Sequence, residues 1–309
     1  MLMSKRIAHG RSRFSPREIG ERVHARGVRA PHLATGSGPG STMGALRVLF
    51  RLATLAGVAA VLVHALAVRF PAYASFGCCA LRLMTASGGG VANWADICGD
   101  GREERCLEHV RASAPEGDAR AVLAAIDTFG REIDMLINIG DVKGKILSDA
   151  LNARRPARAL ELGAYVGYSA IRAGVALREW NGTLTSVEIS EENAVIARAM
   201  VAHAGLSSTV SIVVGTVAGG ALEGAAPFDF VLLDHDKYFY LSDQQRLLRA
   251  GLLSPSAVVV ADNCGVPGAP EYVAYMRGEG RALWDTVEHE TSLEYLDAIP
   301  DRVLVSTLK

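Results

Sequence analysis

The amino-acid sequence predicts an α/β fold with a doubly wound, mostly parallel sheet, N-terminal helices before it and an antiparallel C-terminal edge. Between residues 157 and 261, apolar runs of strand length alternate with segments of helical periodicity, as in βαβ units. The strand runs are apolar throughout, which is typical of parallel strands that helices cover on both faces. Polar clusters follow several of these runs, at the strand ends where open α/β sheets bind their ligands.

Each predicted element follows from a local pattern of side chains. Helical periods precede the first strand at residues 103–112, 118–136 and 143–152, and a break at residues 138–141 separates the last two. Apolar runs predict strands at residues 157–162, 183–187, 210–214, 228–233 and 257–261. The helices predicted among them are residues 168–177, 191–204 and 242–250. The final stretches predict an antiparallel edge pair at residues 282–288 and 302–308.

Composition divides the chain into four segments. Residues 1–45 are rich in Arg, Ser, Gly and Pro without hydrophobic periodicity, and we predict that they form a disordered basic leader. Residues 46–76 hold an apolar segment and residues 77–99 a linker with a Gly-rich stretch. Residues 100–309 form the predicted compact domain.

The apolar segment contains LATLAGVAAVLVHALAV, residues 52–68, with arginines on both sides. Its 17 residues are at the short end for a spanning helix, which needs about 20. The basic N-terminal flank favours a single-pass signal anchor that places the compact domain on the lumenal side of a membrane. A cleaved signal peptide that starts at Met43 and an organellar transit peptide are the alternatives, and they predict a secreted or an organellar protein. A buried core helix is least favoured because of the flanking arginines.

Charge and cysteine content exclude several classes of function. The net charge is -1 and the compact domain has no basic stripe, so the sequence predicts no nucleic-acid partner. The five cysteines have neither the spacing of a metal site nor that of a disulfide framework, and we expect reduced thiols. Acylation of Cys78 and Cys79, next to the apolar segment, is a less favoured alternative.

Three polar clusters follow strand-like runs or lie near the chain's end in the C-terminal half. They are Asp234-His235-Asp236-Lys237 after FDFVLL, Asp262-Asn263 after AVVVA, and Glu294 in SLEY. The carboxyl ends of neighbouring parallel strands meet at one edge of a sheet, and oxygen ligands gathered there suit Mg²⁺. Each cluster alone has a structural explanation, since Asp and Asn favour turns and most lysines are solvated. Together they predict a magnesium site with a lysine base beside it.

A glycine-containing turn, ELGAYVGYS, follows the first predicted strand and begins at Glu161. Gly163 and Gly167 permit close approach of the backbone to a ligand, although the turn lacks the complete G-x-G-x-x-G pattern. Glu188 ends the next predicted strand, where acidic side chains of nucleotide-binding folds accept hydrogen bonds from a ribose. The turn and Glu188 together favour a nucleotide-type cofactor site over the alternative of a solvated strand end.

Several sequence blocks, taken together and in register, resemble the catechol O-methyltransferases. The blocks are INIGDVKGK, ELGAYVGYSA, LLDHDKYFYL, ADNCGVPGAP and SLEY, with REERCLEHV and AVLAAIDTF in the helices before them. The resemblance covers roughly residues 101–295. It implies a class I methyltransferase fold, which is Rossmann-like, with S-adenosylmethionine as the cofactor and Mg²⁺ holding a catechol.

The resemblance also implies roles for the matching residues. The implied metal ligands are Asp234, Asp262 and Asn263. Lys237 is the implied catalytic base, and the substrate contacts are Lys237, Asn263 and Glu294. The residues implied around S-adenosylmethionine are Ile139, Glu161, Tyr165, Ser169, Glu188, Ile189, Val217, Asp234 and His235.

The chain departs from the family pattern around the substrate and around the adenine. Asp236 stands where the family usually has a tryptophan, and a second pocket tryptophan is replaced near Met135, whereas Pro267 is retained. The lost aromatic walls and the added charge predict a changed range of substrates, such as bulkier or cationic catechols. Val217 and Ala218 stand where polar side chains usually meet the adenine, which predicts weaker cofactor binding.

The resemblance therefore predicts an Mg²⁺-dependent enzyme that methylates one hydroxyl of a small catechol, favoured as a monomer and attached to a membrane by its N-terminal segment. One alternative is a methyltransferase of other vicinal diphenols, of the caffeoyl or flavonoid type. Another is a methyltransferase-like membrane protein that binds or traffics a partner. The retained metal-ligand and lysine residues argue against this last function.

Overall fold

The computed structural model describes residues 100–309. The predicted leader, apolar segment and linker lie outside the described residues, so their disorder, membrane insertion and location stay predictions. Within residues 100–309, no helix has both the length and the apolarity needed to cross a bilayer.

The described residues form seven α-helices and seven β-strands. The helices are α1 (Arg102–Ser113), α2 (Ala119–Glu132), α3 (Gly140–Arg154), α4 (Tyr168–Arg178), α5 (Glu191–His203), α6 (Tyr240–Arg249) and α7 (Pro270–Arg277). The strands are β1 (Arg158–Leu162), β2 (Thr183–Glu188), β3 (Val210–Val214), β4 (Phe228–Leu233), β5 (Leu253–Ala261), β6 (Trp284–Leu293) and β7 (Leu296–Leu308). Short helical turns occupy Lys237–Phe239, Cys264–Gly268 and Glu279–Ala282.

The strands form one sheet in the order β3-β2-β1-β4-β5-β7-β6. Strands β1 to β5 pair in parallel, with Leu162 of β1 opposite Val187 on one side and Leu233 on the other. Strand β7 is antiparallel to both β5 and β6. The predicted doubly wound sheet with an antiparallel edge is therefore confirmed. Its strand order reverses between β1 and β4, and ligands bind at the carboxyl ends of such a switch point.

Helices cover both faces of the sheet, as its continuously apolar strands predict. One hydrophobic cluster contains residues of the first five helices, α1 through α5, and these pack with Leu232 and Val260 of the sheet. The other joins α6 and α7 to Val231 and Val259. Neighbouring residues of one strand thus enter opposite clusters, because successive strand side chains point to opposite faces.

Several elements differ from the sequence prediction, and the largest differences are in two helices and in the C-terminal strand pair. Helix α2 ends at Glu132 and not at residue 136, because the N–H groups of Ile133 and Asp134 both donate to the Phe129 carbonyl and close the helix. Helix α7 was not predicted, since its eight residues follow a turn rich in Gly and Pro. Strands β6 and β7 are longer than predicted, because exposed polar residues interrupt their apolar runs.

Gly163 brings the turn after β1 into backbone contact with the turn after β4. Its φ of 97° lies in the left-handed region, and an added Cβ would lie 2.7 Å from the Asp234 carbonyl carbon. Each turn is also hydrogen-bonded to a neighbouring strand. Gly163 N donates to Val187 O of β2 at 2.8 Å, and Asp234 N donates to Leu162 O of β1 at 2.9 Å. A glycine is therefore required where the glycine-containing turn meets the first polar cluster.

We expect Gly163→Ala to destabilise the protein more than Gly251→Ala. Both alanines must adopt a positive φ, which costs about 1–2 kcal/mol. Gly251 has a φ of 66° with no heavy atom within 4 Å of the added Cβ, so only Gly163→Ala adds overpacking, at a cost of roughly 1–3 kcal/mol. Urea unfolding of the full chain measures both free energies of unfolding. Equal losses in the two variants would contradict the tight contact.

Candidate active site

The three predicted polar clusters lie together at the carboxyl edge of the sheet. Asp234 follows β4, Asp262 and Asn263 follow β5, and Glu294 lies in the turn between β6 and β7. Asn263 Nδ2 donates a hydrogen bond to Glu294 Oε2 at 3.2 Å, which links the β5 cluster to the hairpin turn. Asp262, Asn263 and Glu294 are all buried. The structure thus brings the predicted metal and substrate residues into one site, and their roles stay predictions.

A lysine that sequence reasoning did not single out lies among these carboxylates. Lys143 Nζ, on α3, is 2.7 Å from Glu294 Oε2, 2.8 Å from Asp262 Oδ2 and 3.1 Å from Asp301 Oδ2. Burial opposes the charge, but the surrounding carboxylates hold the pKa of Lys143 well above its ordinary value. The surrounding carboxylates therefore favour the charged form of Lys143. Lysines on helices are normally solvated, so no local signal distinguishes this one.

Asp262 is a buried carboxylate with unused acceptors. Neither of its oxygens accepts a hydrogen bond from a described residue, because Lys143 Nζ approaches Oδ2 outside hydrogen-bond geometry. Burial raises the pKa of Asp262 to about 7, Lys143 opposes the shift, and the charges of Asp234 and Glu294 add to it. A bound cation would stabilise the ionised form, so this carboxylate fits a metal ligand.

Lys237 and Asp234 form an ion pair beside Asp262. Lys237 lies in the helical turn that follows β4, and its Nζ is 2.9 Å from Asp234 Oδ1. The same Nζ is 5.1 Å from the centroid of the Tyr240 ring. Burial raises the pKa of Asp234, although Lys237 and Lys143 oppose the shift. The Lys237 side chain is 15% exposed, so it is not fully buried.

The donor set fits a hard divalent cation. Asp234 and Asp262 supply carboxylate oxygens and Asn263 supplies an amide oxygen, which are ligands of Mg²⁺ in proteins. Across residues 100–309, no group of three or more His, Cys, Asp and Glu side chains is arranged to hold a metal ion. This set contains only two such residues, so it depends on the amide as its third donor. Magnesium binding stays a prediction, and it is favoured by the two Asp262 oxygens that accept no hydrogen bond from a described residue.

Glu188 organises the glycine-containing turn, where the cofactor is predicted to bind. Its Oε2 accepts hydrogen bonds from the N–H groups of Ala164, at 3.0 Å, and Tyr165, at 2.8 Å. Its Oε1 accepts one from Ser190 N at 2.9 Å. Because a carboxylate oxygen can accept a second hydrogen bond, the predicted contact of Glu188 with a ribose is compatible with this geometry.

Glu161 is a second buried carboxyl group with an unused acceptor. The Ser186 hydroxyl donates to its Oε2, whereas no described residue donates to Oε1 in hydrogen-bond geometry. Burial raises the pKa of Glu161 to about 7, although the Ser169 and Ser186 hydroxyls oppose the shift. An acceptor of this kind suits an ammonium group, which agrees with the predicted position of Glu161 and Ser169 near the methionine part of the cofactor.

The remaining predicted cofactor residues differ in exposure and in partners. Tyr165 has a φ of 48°, and its hydroxyl donates to Glu103 Oε1 at 2.6 Å, which ties the turn to α1. His235 Nε2 is 3.2 Å from Asp243 Oδ2, and no described residue bonds to its buried Nδ1. Of the other three predicted residues, Ile139 is buried, Ile189 is exposed and Val217 is half-buried.

Asp236, which stands at a tryptophan position of the family pattern, caps the helical turn after β4. Its Oδ1 accepts a hydrogen bond from Tyr238 N at 3.0 Å, so the carboxylate has a structural role as well as a charge. The next residues expose aromatic surface, with the rings of Tyr238 and Phe239 5.6 Å apart. Met135, near the second tryptophan position, is buried. The predicted change of substrate range stays a prediction.

Comparison with known proteins identifies the family to which the chain belongs. A family model described as O-methyltransferase matches residues 124–269. A probable O-methyltransferase of Mycobacterium tuberculosis is 47% identical over 217 residues, which are 67% of this chain and 92% of the relative. The catechol O-methyltransferase of Mus musculus is 37% identical over 213 residues, which are 66% of this chain and 77% of the relative.

A solved structure shares the fold. The O-methyltransferase TomG from Streptomyces achromogenes, in complex with SAM, has a TM-score of 0.50 and 22% identity, and the match covers 76% of this chain and 98% of that one. The mycobacterial relative, which this chain matches over nearly its whole length, shows the same family as the family model. The chain therefore belongs to the O-methyltransferase family of S-adenosylmethionine-dependent enzymes, and within it resembles the catechol O-methyltransferases.

Proposed function

We propose that this protein transfers the methyl group of S-adenosylmethionine to one hydroxyl of a catechol, in a reaction that requires Mg²⁺. The observation that supports this most is the buried Asp262 carboxylate, whose oxygens accept no hydrogen bond from described residues. Asp234 and the Asn263 amide lie beside it, with Lys237 paired to Asp234. The similarity to catechol O-methyltransferases of mouse and cattle adds support for the substrate class.

The metal ligands address the weak nucleophilicity of the substrate. A phenol has a pKa of about 10, so its reactive ionised form is scarce at neutral pH. Mg²⁺ held by Asp234, Asp262 and Asn263 would supply the positive charge that favours ionisation of a chelating hydroxyl. Glu294 Oε2 is engaged by Lys143 and Asn263, so we assign Oε1 as the acceptor of a hydrogen bond from the second hydroxyl.

Lys237 is the base that we assign to the reacting hydroxyl. Lys237 is paired with Asp234 as an ammonium in the resting site, so it must first lose its own proton. The neutral amine then takes the proton of the hydroxyl, and the substrate oxygen attacks the methyl carbon. The carbon–sulfur bond breaks and its electron pair stays on sulfur, which yields the methyl ether and S-adenosylhomocysteine. Asp234, 2.9 Å away, then stabilises the ammonium that has formed. Alignment of oxygen, methyl carbon and sulfur contributes up to about 7–11 kcal/mol in favourable cases.

We expect the full chain to methylate catechol from methyl-labelled S-adenosylmethionine with Mg²⁺ present, and to stop when a chelator removes the metal. Lys237→Met should lower kcat by about 10²–10⁴ because it removes a general base. Cofactor affinity should stay unchanged, since Lys237 is assigned to the substrate. Product formation and a separate cofactor titration measure the two effects.

The matched control is Lys145→Met, which changes a lysine on α3 whose side chain is 74% exposed. We expect the wild-type rate from it. Transfer that survives chelation, or that is equally fast on monophenols, would contradict the chelation mechanism. If no condition gives transfer to any catechol, the proposed function is wrong.

Asp236 provides a test of substrate preference. If its charge attracts cationic catechols, Asp236→Asn should lower kcat/KM for dopamine severalfold relative to uncharged catechol, because the amide keeps the cap to Tyr238 and loses the charge. Asp236→Trp should shift the ratio further by restoring an aromatic wall. Unchanged ratios in both variants would exclude Asp236 as a determinant of specificity.

A further inference from the structure

Asp301, on β7, is a buried carboxylate with a complete set of partners at the edge of the site. Its Oδ1 accepts hydrogen bonds from Gly265 N, at 3.0 Å, and Val266 N, at 2.9 Å. Its Oδ2 accepts from Asn263 Nδ2, at 3.0 Å, and Lys143 Nζ, at 3.1 Å. We infer that Asp301 is a positioning residue that turns the amide oxygen of Asn263 toward the metal. This inference rests on the proposed function.

The orientation of the Asn263 amide follows from its neighbours. Two carboxylate oxygens lie within hydrogen-bond distance of one end of the amide: Asp301 Oδ2 at 3.0 Å and Glu294 Oε2 at 3.2 Å. Carboxylates only accept hydrogen bonds when ionised, so the end of the amide that faces them must be the NH₂ group, with its two donors. The amide oxygen therefore points away from both carboxylates, and it remains available as a metal ligand.

The other oxygen of Asp301 fixes the loop that carries Asn263. Gly265 and Val266 begin the turn after this residue, and their N–H groups both point at Asp301 Oδ1. An added Cβ on Gly265 would lie 3.0 Å from the same oxygen, so the loop packs closely against the carboxylate. Asn263 itself has a φ of 49°, a conformation that Asn tolerates better than most residues. Asp301 thus holds both the backbone and the side-chain amide of a predicted ligand.

Lys143 holds the two positioning carboxylates by hydrogen bonds and contacts Asp262 as an ion pair alone. Its ammonium donates hydrogen bonds to Glu294 Oε2 and Asp301 Oδ2, the two carboxylates that orient Asn263. Its contact with Asp262 Oδ2 lacks hydrogen-bond geometry. The same lysine therefore makes hydrogen bonds to the positioning carboxylates, Glu294 and Asp301, and an ion pair without a hydrogen bond to the metal-binding carboxylate, Asp262. Charges as buried as these are tolerated only with partners of this kind.

The test is Mn²⁺ binding to the full chain with S-adenosylhomocysteine, followed by electron paramagnetic resonance. In Asp301→Asn, one end of the new amide must still accept from Gly265 and Val266, so its NH₂ group faces the NH₂ group of Asn263. Only Glu294 Oε2 then holds the Asn263 amide in its metal-binding orientation. We expect the dissociation constant for Mn²⁺ to rise about 10–100-fold, as is typical when a partner of a metal ligand is lost. S-adenosylhomocysteine binding should stay unchanged.

The matched control is Asp297→Asn, an exposed carboxylate on the same strand, which should bind Mn²⁺ like the wild type. A second variant, N263D/D301N, exchanges the donor and the acceptor. The amide at position 301 now donates a hydrogen bond to the carboxylate at position 263, whose other oxygen faces the metal. We expect the exchange to recover most of the lost affinity. Circular dichroism reports whether each variant is folded. If D301N does not fold, the test passes to the exchange variant. When folded, the exchange variant should have a dissociation constant for Mn²⁺ within about tenfold of the wild-type value.

The outcomes separate this inference from the function on which it rests. If the wild type binds no Mn²⁺, the metal-dependent function itself is wrong. If the wild type binds Mn²⁺ and folded D301N binds it equally well, or the exchange variant binds no more tightly than D301N, the positioning role of Asp301 is wrong and the proposed function stands.

Discussion

The site depends on one buried ammonium group, that of Lys143, which holds three carboxylates at the carboxyl edge of the sheet. A buried ion costs several kcal/mol without a partner, so Asp262, Glu294 and Asp301 can share this space only with a cation among them. Together with the neighbouring Asp234–Lys237 pair, the group gathers four carboxyl groups around two lysines. Carboxyl groups outnumber the lysines, so a bound cation would favour their ionised forms. Burial raises the pKa of Asp262, and a cation bound beside it would favour the ionised carboxylate.

The fold places the predicted cofactor turn against this charged edge. Gly163 lets the turn after β1 contact the backbone of Asp234. The predicted cofactor turn and the predicted metal ligand are therefore in direct main-chain contact. Glu188 fixes the same turn through main-chain N–H groups, and Tyr165 ties it to α1. These contacts matter for methyl transfer, because the reaction requires alignment of atoms that belong to two separately bound molecules.

The sequence predicted the features that depend on local pattern. Continuous apolar runs followed by polar clusters predicted the parallel strands and the edge where Asp234, Asp262 and Asn263 meet. The hairpin's extent and α7 were missed, because an edge strand and a helix of eight residues have weak periodicity. Lys143 and Asp301 were missed for another reason. Each looks like an ordinary surface residue in its own segment, and its role arises only when α3 and β7 pack beside the β5 loop.

The most direct test of this account is a crystal of the full chain with S-adenosylhomocysteine, soaked in Mn²⁺ and measured at the manganese absorption edge. The account predicts one anomalous peak within coordination distance of Asp234, Asp262 and the Asn263 amide oxygen, with Lys143 still bonded to Glu294 and Asp301. Mn²⁺ is used because it takes the oxygen ligands that Mg²⁺ takes. A saturating soak that gives no peak at these residues, or a peak at other residues alone, would contradict the account.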